Sequence, residues 1–288
     1  MINAYDEAVR LLPAKMAAAL GKEFEHAEEF RLRTGYALTA LIGGRETPIS
    51  DSPVTQDDIA CVMEKATRAS VHTVQQDMSR GFISCGFGLR LGVCGTGIIS
   101  DGSVTGLRDI SSLSIRIPHE VHSIGGQAVK KLYESSDNTL IISPPGGGKT
   151  TLLRELIRAM SESGTRVAVA DERGELAAVF RGKPQFDIGP SSDVMSDIPK
   201  ANAVMMLLRA MNPQVIAMDE ISSPDDCAAA ASAVGCGVRV IASAHAATTD
   251  ELKNRTVYRK LIEPGMFTAA IVIENHGGVR SYRWEALL

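Results

Sequence analysis

Several features that would assign this sequence to other protein classes are scarce. Aromatic residues make up only 5% of the 288 residues, with a single tryptophan, which argues against a base-stacking surface for single-stranded nucleic acid. The net charge of −4 provides no overall basic field that would attract nucleic acid. No run of 18 apolar residues occurs, so no membrane-spanning helix is expected. The composition, 44% hydrophobic and 22% charged, is typical of a globular protein.

The cysteines are also few and widely spaced. Their number is odd and none forms a C-x-x-C pair, which argues against a disulfide framework and against a cysteine zinc site. They are Cys61, Cys85, Cys94, Cys227 and Cys236. The first ten residues include Asp6 and Glu7 and lack a signal-peptide pattern. We therefore expect a reduced, cytoplasmic protein.

One glycine-rich segment, residues 143–151, carries most of the functional information. It reads Ser143, Pro144, Pro145, Gly146, Gly147, Gly148, Lys149, Thr150 and Thr151. A strand-like run precedes it and a helix-like run follows it, which is the layout of a P-loop. Backbone N–H groups of such a loop surround a phosphate, and the helix N-terminus adds positive potential. Lys149 is expected to reach the β- and γ-phosphates, and the Thr150 hydroxyl to bind Mg²⁺.

A second motif is an apolar run, residues 215–218, that ends in Asp219 and Glu220. An unbroken apolar run of this length is typical of a strand buried on both faces of a parallel sheet. Residues after such a strand lie at its carboxyl end, where ligands bind. We expect Asp219 to hold the metal and Glu220 to activate a water molecule against the γ-phosphate. The acid pair favours hydrolysis of ATP, and no Asn-Lys-x-Asp motif for guanine is present.

Two further strand ends carry polar residues with two interpretations each. Asp171 or Glu172 assists the water or the metal and Arg173 meets phosphate charge, or the segment is a solvated loop with a helix cap. His245 senses the γ-phosphate, or it is a hydrogen-bonded histidine at the end of a strand. Arg209 faces an adjoining subunit, or it complements a helix dipole.

The order of apolar and helical runs predicts the fold class. In the second half, strands alternate with helices, which indicates a parallel sheet with right-handed crossovers. The predicted strands are 140–142, 166–170, 215–218, 238–242 and 269–273, with a terminal strand at 279–284. The predicted helices are 127–133, 151–160, 202–211 and 225–234. The fold class is therefore α/β in this half.

The first half has a different pattern. A helix from residue 4 to 20 is interrupted near Pro13, and a helix capped by residues 55–58 runs to about Ala69. Short strands are predicted at 30–33, 38–42 and 112–117, with curved strands in 81–97 and a hairpin turn at 100–103. We expect a smaller, mostly antiparallel α+β N-terminal domain over residues 1–122 and an ATPase domain over 123–288.

These motifs together resemble the RecA-like P-loop ATPase core of the type II and type IV secretion ATPases. Segments 29–35, 81–97 and 110–117 extend the resemblance to the stage III sporulation protein AA family over nearly the whole chain. Two departures are visible. Ser143 replaces the first P-loop glycine, and a four-cysteine zinc insert found in some secretion ATPases is missing, which fits the sporulation branch.

The resemblance implies a motor rather than a metabolic enzyme. Secretion ATPases form hexameric rings that bind ATP and Mg²⁺ between neighbouring chains, so a homohexamer is expected. Arginines of the N-terminal domain close on the γ-phosphate in that family, and Arg116 and Arg90 occupy matching positions. The family further implies docking to a membrane-embedded channel or sporulation envelope proteins, at the inner face of the mother-cell membrane.

Three other functions compete with this interpretation. A single-stranded nucleic-acid-binding ATPase is opposed by the charge and the few aromatics, although Arg31, Arg33 and Arg45 could form a local basic patch. A regulatory switch that binds ATP without turnover is opposed by the presence of Glu220. A small-molecule kinase needs an arginine-bearing lid, for which the short C-terminus leaves little room.

Overall fold

A computed structural model describes residues 4–67, 81–100, 102–118, 126–276 and 279–287. The chain divides into two compact units, Met1–His119 and Glu120–Leu288. The predicted domain boundary after residue 122 lies outside the described residues and stays a prediction. Each unit has its own hydrophobic core and is described separately.

The described residues of the first unit include three helices whose ends follow from local chemistry. They are α1 (Ala4–Leu11), α2 (Ala14–Ala17) and α3 (Gln56–Thr67), with a 3₁₀ turn at Lys22–Phe24. Pro13 separates α1 from α2, as predicted, because proline has no N–H for the helical ladder. The N–H of Asp58 donates to Thr55 Oγ1 at 3.2 Å and the N–H of Thr55 donates to Asp58 Oδ2 at 2.9 Å, which caps α3. The predicted helix end near Ala69 lies outside the described residues.

Six antiparallel strands form the sheet of the first unit. They are β1 (Glu29–Arg33), β2 (Ala37–Ile42), β3 (Arg45–Pro53), β4 (Phe82–Ser84), β5 (Arg90–Ser100) and β6 (Ser103–Arg116). Their order is β3-β2-β1-β6-β5-β4, and Ser100 pairs with Ser103 at the predicted hairpin turn. Strand β3 was not predicted, because it is an exposed edge strand without apolar alternation.

Side-chain alternation gives this sheet one buried and one polar face. Phe30 and Leu32 of β1 are fully buried and share a core cluster with Leu91 and Ile115 of the neighbouring strands. The residues between them point to the other face, which therefore carries four arginines. These are Arg31, Arg33, Arg90 and Arg116.

The second unit is built on a seven-stranded sheet. Its strands are β7 (Thr139–Ser143), β8 (Val167–Asp171), β9 (Ser192–Ser196), β10 (Val215–Met218), β11 (Arg239–His245), β12 (Ala269–His276) and β13 (Val279–Ala286). The order is β13-β12-β7-β11-β10-β8-β9, and every neighbouring pair is parallel except β12 with β13. All residues of β7, β8 and β10 are buried, as their unbroken apolar sequences predict.

Helices cover both faces of this sheet. They are α4 (Gly126–Glu134), α5 (Lys149–Glu162), α6 (Lys200–Ala210), α7 (Pro224–Gly235), α8 (Thr249–Asn254) and α9 (Thr256–Ile262). Leu152 and Leu156 of α5 pack with Ile141 on one face. Leu140 and Ile142, which point the other way, pack with α6, α7 and α9. The carboxyl ends of the parallel strands consequently open at one edge of the sheet.

Three elements of the second unit were not predicted. Strand β9 is only half-buried and carries two serines and an aspartate, so it lacks an apolar signal. Helices α8 and α9 have six and seven residues, too short for a reliable apolar period. The predicted turn after β12 includes residues 277 and 278, which lie outside the described residues.

Candidate active site

The predicted P-loop connects β7 to α5 at the carboxyl edge of the sheet. Gly146 and Gly148 have φ angles of 74° and 98°, a left-handed backbone that favours glycine. A Cβ atom at Gly147 would overlap the Oγ of Ser143, so the serine that replaces the first P-loop glycine requires glycine at this position. The loop therefore keeps a backbone-lined shape in which side chains are excluded from three consecutive positions.

The N-terminus of α5 lies directly behind this loop. Gly148 is its N-cap residue, and no side chain caps the helix by a hydrogen bond. Lys149 begins the helix, and Thr150 and Thr151, both half-buried, occupy its first turn. N–H groups at a helix start need an acceptor, and the helix dipole favours an anion there.

Lys149 reaches back along the loop instead of into solvent. Its Nζ donates to the carbonyl oxygens of Ser143 at 2.9 Å and Pro144 at 3.2 Å, and lies 2.9 Å from Nδ1 of His245. Burial lowers the pKa of the Lys149 ammonium, while Glu220 and Asp219 act in the opposite direction. The loop thus contains a buried cation whose hydrogen-bond partners are all neutral groups.

His245 joins this lysine to the acid pair. It ends β11, and its Nε2 lies 3.0 Å from Oε2 of Glu220, which follows β10. Because the lysine ammonium only donates, Nδ1 must accept, and the ring proton is then on Nε2 and faces Glu220. Adjacent parallel strands therefore place the loop lysine, His245 and Glu220 in one series of polar contacts.

Asp219, the neighbour of Glu220 in the sequence, is almost fully buried. Its Oδ1 lies 3.4 Å from Ser243 Oγ, which can donate to it. Burial, with repulsion from Glu175 and Asp171, raises the pKa of Asp219 to about 6, although Lys200 and a backbone N–H oppose the shift. A cation bound next to this buried carboxylate would stabilise its charged form.

The hydrogen bonds of Asp171 indicate that it orders the loop after β8, and they favour this role over a catalytic one. Asp171 is fully buried, and it accepts hydrogen bonds from the N–H groups of Glu175, Leu176 and Ala177 at 2.8–3.1 Å. Glu172 lies 3.2 Å from Nζ of Lys200. Among the described residues, no hydrogen bond or ion pair joins either acid to Lys149, and the catalytic assignment of Glu172 stays a prediction.

The two predicted arginines of the first unit lie side by side. Arg90 and Arg116 are directly opposite each other on β5 and β6, and Arg90 also stands 5.1 Å above the ring of Phe82. Arg116 is also directly opposite Glu29 of β1, so a carboxylate stands beside this arginine pair on the same face of the sheet. Arg209 is exposed near the end of α6, which fits its alternative role beside a helix C-terminus.

The basic patch considered for nucleic acid is partly neutralised. Nε of Arg31 contacts Oε1 of Glu29 at 2.5 Å, and Arg33 forms an ion pair with Glu46. This pairing holds the pKa of Glu46 at about 2, mainly through the hydrogen bond from Arg33. Carboxylates therefore offset two of the three arginines in that patch.

Two supporting residues had escaped sequence analysis. Lys200 is buried and lies near Asp226 as well as Glu172. Tyr258 donates to the carbonyl of Ile221 at 2.9 Å and accepts from the N–H of His245 at 3.3 Å, so it fixes the two strand ends. A buried lysine and a buried tyrosine carry no spacing signal in the sequence, because their partners come from other elements.

The residues of this edge fit ATP with Mg²⁺. The glycine loop and the uncapped helix leave backbone N–H groups for phosphate, and Lys149 supplies a cation without an ionic partner in direct contact. Thr150 and Asp219 are the oxygen donors that Mg²⁺ prefers. Within the described ranges, no cluster of three or more His, Cys, Asp or Glu residues forms a metal cage, so a metal here would need phosphate oxygens or water as further ligands.

Two global features accompany this site. The cysteines are all free thiols. None of the helices in the part of the chain covered by the structure has the length and apolar character of a membrane span.

Comparison with known proteins begins with sequence. A family model described as "Sporulation stage III, protein AA" matches residues 4–283. Stage III sporulation protein AA of Bacillus subtilis (strain 168) is 34% identical over 273 residues, which cover 91% of this chain and 88% of that protein.

Solved structures provide the second comparison. The Legionella pneumophila ATPase DotB matches with a TM-score of 0.59 and 15% identity, over 90% of this chain and 76% of that one. The pilus retraction motor PilT, solved with bound ADP, matches with a TM-score of 0.60 and 18% identity, over 90% and 78%. These likenesses confirm the predicted fold class, an α/β core with a mostly parallel sheet preceded by an α+β unit.

Proposed function

Because this chain belongs to the family of sporulation stage III protein AA, we propose that it binds ATP with Mg²⁺ and hydrolyses it. The observation that supports this most strongly is the series of polar contacts from Lys149 through His245 to Glu220. It brings the lysine of a phosphate-binding loop to within two contacts of a carboxylate suited to activating water. A glycine turn that occurred by chance would not require Lys149, His245 and Glu220 to converge at the ends of three strands.

Each residue then has a defined task. Lys149 exchanges its carbonyl and histidine contacts for phosphate oxygens, while the loop N–H groups and the start of α5 hold the remaining charge. Thr150 and Asp219 hold Mg²⁺, which when bound supplies positive charge against the phosphates. Glu220 accepts a proton from the attacking water, and His245 transmits the loss of the γ-phosphate to the strand ends.

We further propose that the working assembly is a homohexameric ring. Arg90 and Arg116 would act on nucleotide bound by a neighbouring chain, since a guanidinium spreads its charge over the transferred phosphoryl group. The ring would power a channel of the sporulation envelope from the inner face of the mother-cell membrane. The resemblance to secretion ATPases and the sporulation family support this part of the proposal.

The proposal is tested with two substitutions and a control lysine. Lys149→Ala should weaken ATP binding roughly 10–100-fold, the loss expected for hydrogen bonds to charged groups. Glu220→Gln should keep ATP bound while hydrolysis slows about 10²–10⁴-fold, because the general base is removed. Lys130→Ala, at a 77%-exposed lysine, should change neither quantity.

Calorimetric titration with ATP and phosphate release measure the two effects. Wild-type affinity in Lys149→Ala would remove the P-loop assignment. Hydrolysis at the parental rate in Glu220→Gln would assign the base to another residue.

A further inference from the structure

Arg280 is a charged residue close to the phosphate-binding loop and separate from the residues proposed to carry out hydrolysis. It lies at the start of β13, opposite Asn275 of β12. A Cβ atom built on Gly148 would lie 3.1 Å from both Cζ and Nε of Arg280. The guanidinium therefore rests against the last glycine before Lys149.

The sheet order explains this position. Strand β12 lies beside β7 in parallel, with Val272 level with Ile142, but β12 continues to His276 while β7 ends at Ser143. The hairpin of β12 and β13 thus extends beyond the end of β7, where the loop begins. At about 3.3 Å per residue, Arg280 lies several ångströms past that end.

The face of the strand is also set by packing. Tyr282 and Trp284 of β13 pack against the cluster that contains Leu152 and Leu156 of α5. Because side chains alternate along a strand, Arg280 points to this same face, toward the start of α5. Arg283 points to the opposite face.

The charges around Arg280 are arranged to receive an anion. Lys149 and the positive end of α5 directly follow Gly148, the N-cap residue of that helix. Arg283 pairs with Glu274 at 2.8 Å and with Glu285. Among the described residues, by contrast, none forms a hydrogen bond or ion pair with Arg280. Two cations and a helix N-terminus repel one another unless negative charge is placed between them.

We propose that Arg280 binds the polyphosphate of a nucleotide held by the loop of the same chain, an inference that rests on the proposed function. A guanidinium can donate two parallel hydrogen bonds to phosphate oxygens, which Lys149 cannot do. The C-terminal hairpin thereby becomes part of the nucleotide site. Arg280 would thus contact nucleotide bound by its own chain. Arg90 and Arg116, by contrast, are proposed to act on nucleotide bound by a neighbouring chain.

The test uses ADP and inorganic pyrophosphate, which avoid hydrolysis of ATP, with Mg²⁺ and the full chain. Arg280→Gln should weaken ADP and pyrophosphate by the same factor, about tenfold, as for a lost charged hydrogen bond. Arg280→Lys should fall in between. Arg283→Gln, on the same strand, should leave both affinities at the wild-type value. ADP is measured by calorimetry and pyrophosphate by competition with ADP.

The outcomes separate this inference from the function on which it rests. Unchanged ADP affinity in Arg280→Gln, with wild-type binding intact, would overturn the role of Arg280 alone. Weaker ADP with unchanged pyrophosphate would also overturn it, because the contact would then be to the nucleoside. Wild-type protein that binds neither ligand would overturn the proposed function and this inference together. Equal thermal unfolding of the ligand-free variants excludes misfolding as the cause.

Discussion

At the residue scale, burial governs the charge of Asp219. Its carboxyl is 6% exposed and shares its surroundings with Asp171 and Glu175, so its pKa rises from 3.8 to about 6. The folded state therefore favours the protonated acid. The stability that protonation contributes is complete below pH 3.8 and is lost as the pH rises through about 6. At neutral pH the site keeps a destabilising carboxylate, which is understandable if that group binds Mg²⁺.

Asp219→Asn should therefore stabilise the ligand-free protein at pH 7.5, by about 2–3 kcal/mol from a shift of roughly two pKa units. The gain should shrink towards zero near pH 4, where the wild-type acid is protonated. Urea unfolding followed by Trp284, the chain's one tryptophan, reports the second unit.

The control for this substitution is Asp225→Asn, at an exposed aspartate that should change stability by less than about 1 kcal/mol. Destabilisation of Asp219→Asn at pH 7.5 would contradict the account of Asp219 as a group strained by burial.

At the scale of elements, the N-terminal cap of α7 anchors the segment that follows Asp219 and Glu220. Ser223 and Asp226 form a reciprocal capping box, with the N–H of Asp226 donating to Ser223 Oγ at 3.1 Å and the N–H of Ser223 to Asp226 Oδ2 at 3.0 Å. Asp226 also accepts from the N–H of Ser222 and lies 3.7 Å from Lys200. The helix start thus anchors the segment that follows Glu220.

Ser223→Ala removes half of this cap and should lower the free energy of unfolding by about 1 kcal/mol, the usual loss for an N-cap hydroxyl. Ser232→Ala is the matched control within the same helix. Its hydroxyl bonds the carbonyl of Ala228 on an exposed face, so the change should stay within about 0.5 kcal/mol. Urea unfolding followed by Trp284 measures both variants. Equal stability of the two would show that the capping box contributes nothing there.

At the scale of the whole molecule, the paired arginines of the first unit bear on the proposed ring. Arg90 and Arg116 face each other across β5 and β6, and no nucleotide-binding loop of their own unit lies among its described residues. In the proposed ring, both arginines would act in an active site completed by a neighbouring chain. Such a site also makes hydrolysis depend on assembly.

Arg116→Ala should accordingly reduce ATP turnover by roughly 10³-fold, as for other arginines that complete a site in trans, while ATP affinity changes little. Arg108→Ala, at a 63%-exposed arginine of the same strand, should retain turnover. Wild-type turnover per chain should rise with protein concentration as mass measurements show assembly. A rate independent of concentration, or full activity in Arg116→Ala, would remove the shared-site proposal.

Local sequence patterns were sufficient for much of the second unit. The buried strands β7, β8 and β10 and helix α5 were predictable because unbroken apolar runs and a glycine loop carry their own signal. Strand β9 and helices α8 and α9 were not, since an edge strand and short helices depend on neighbours for stability. In the first unit, likewise, the helix break at Pro13 was predictable from the sequence, whereas β3, whose strand partner among the described residues is β2, was not.

For the site, the sequence by itself determined the chemistry of the phosphate-binding loop and of the acid pair, because those residues are consecutive. Only the tertiary structure decided that Lys149 contacts His245 and that Asp171 holds backbone N–H groups. It alone brought Arg280 to Gly148. These contacts join strands far apart in the chain, and their distances follow from sheet order and side-chain alternation, which no local spacing encodes.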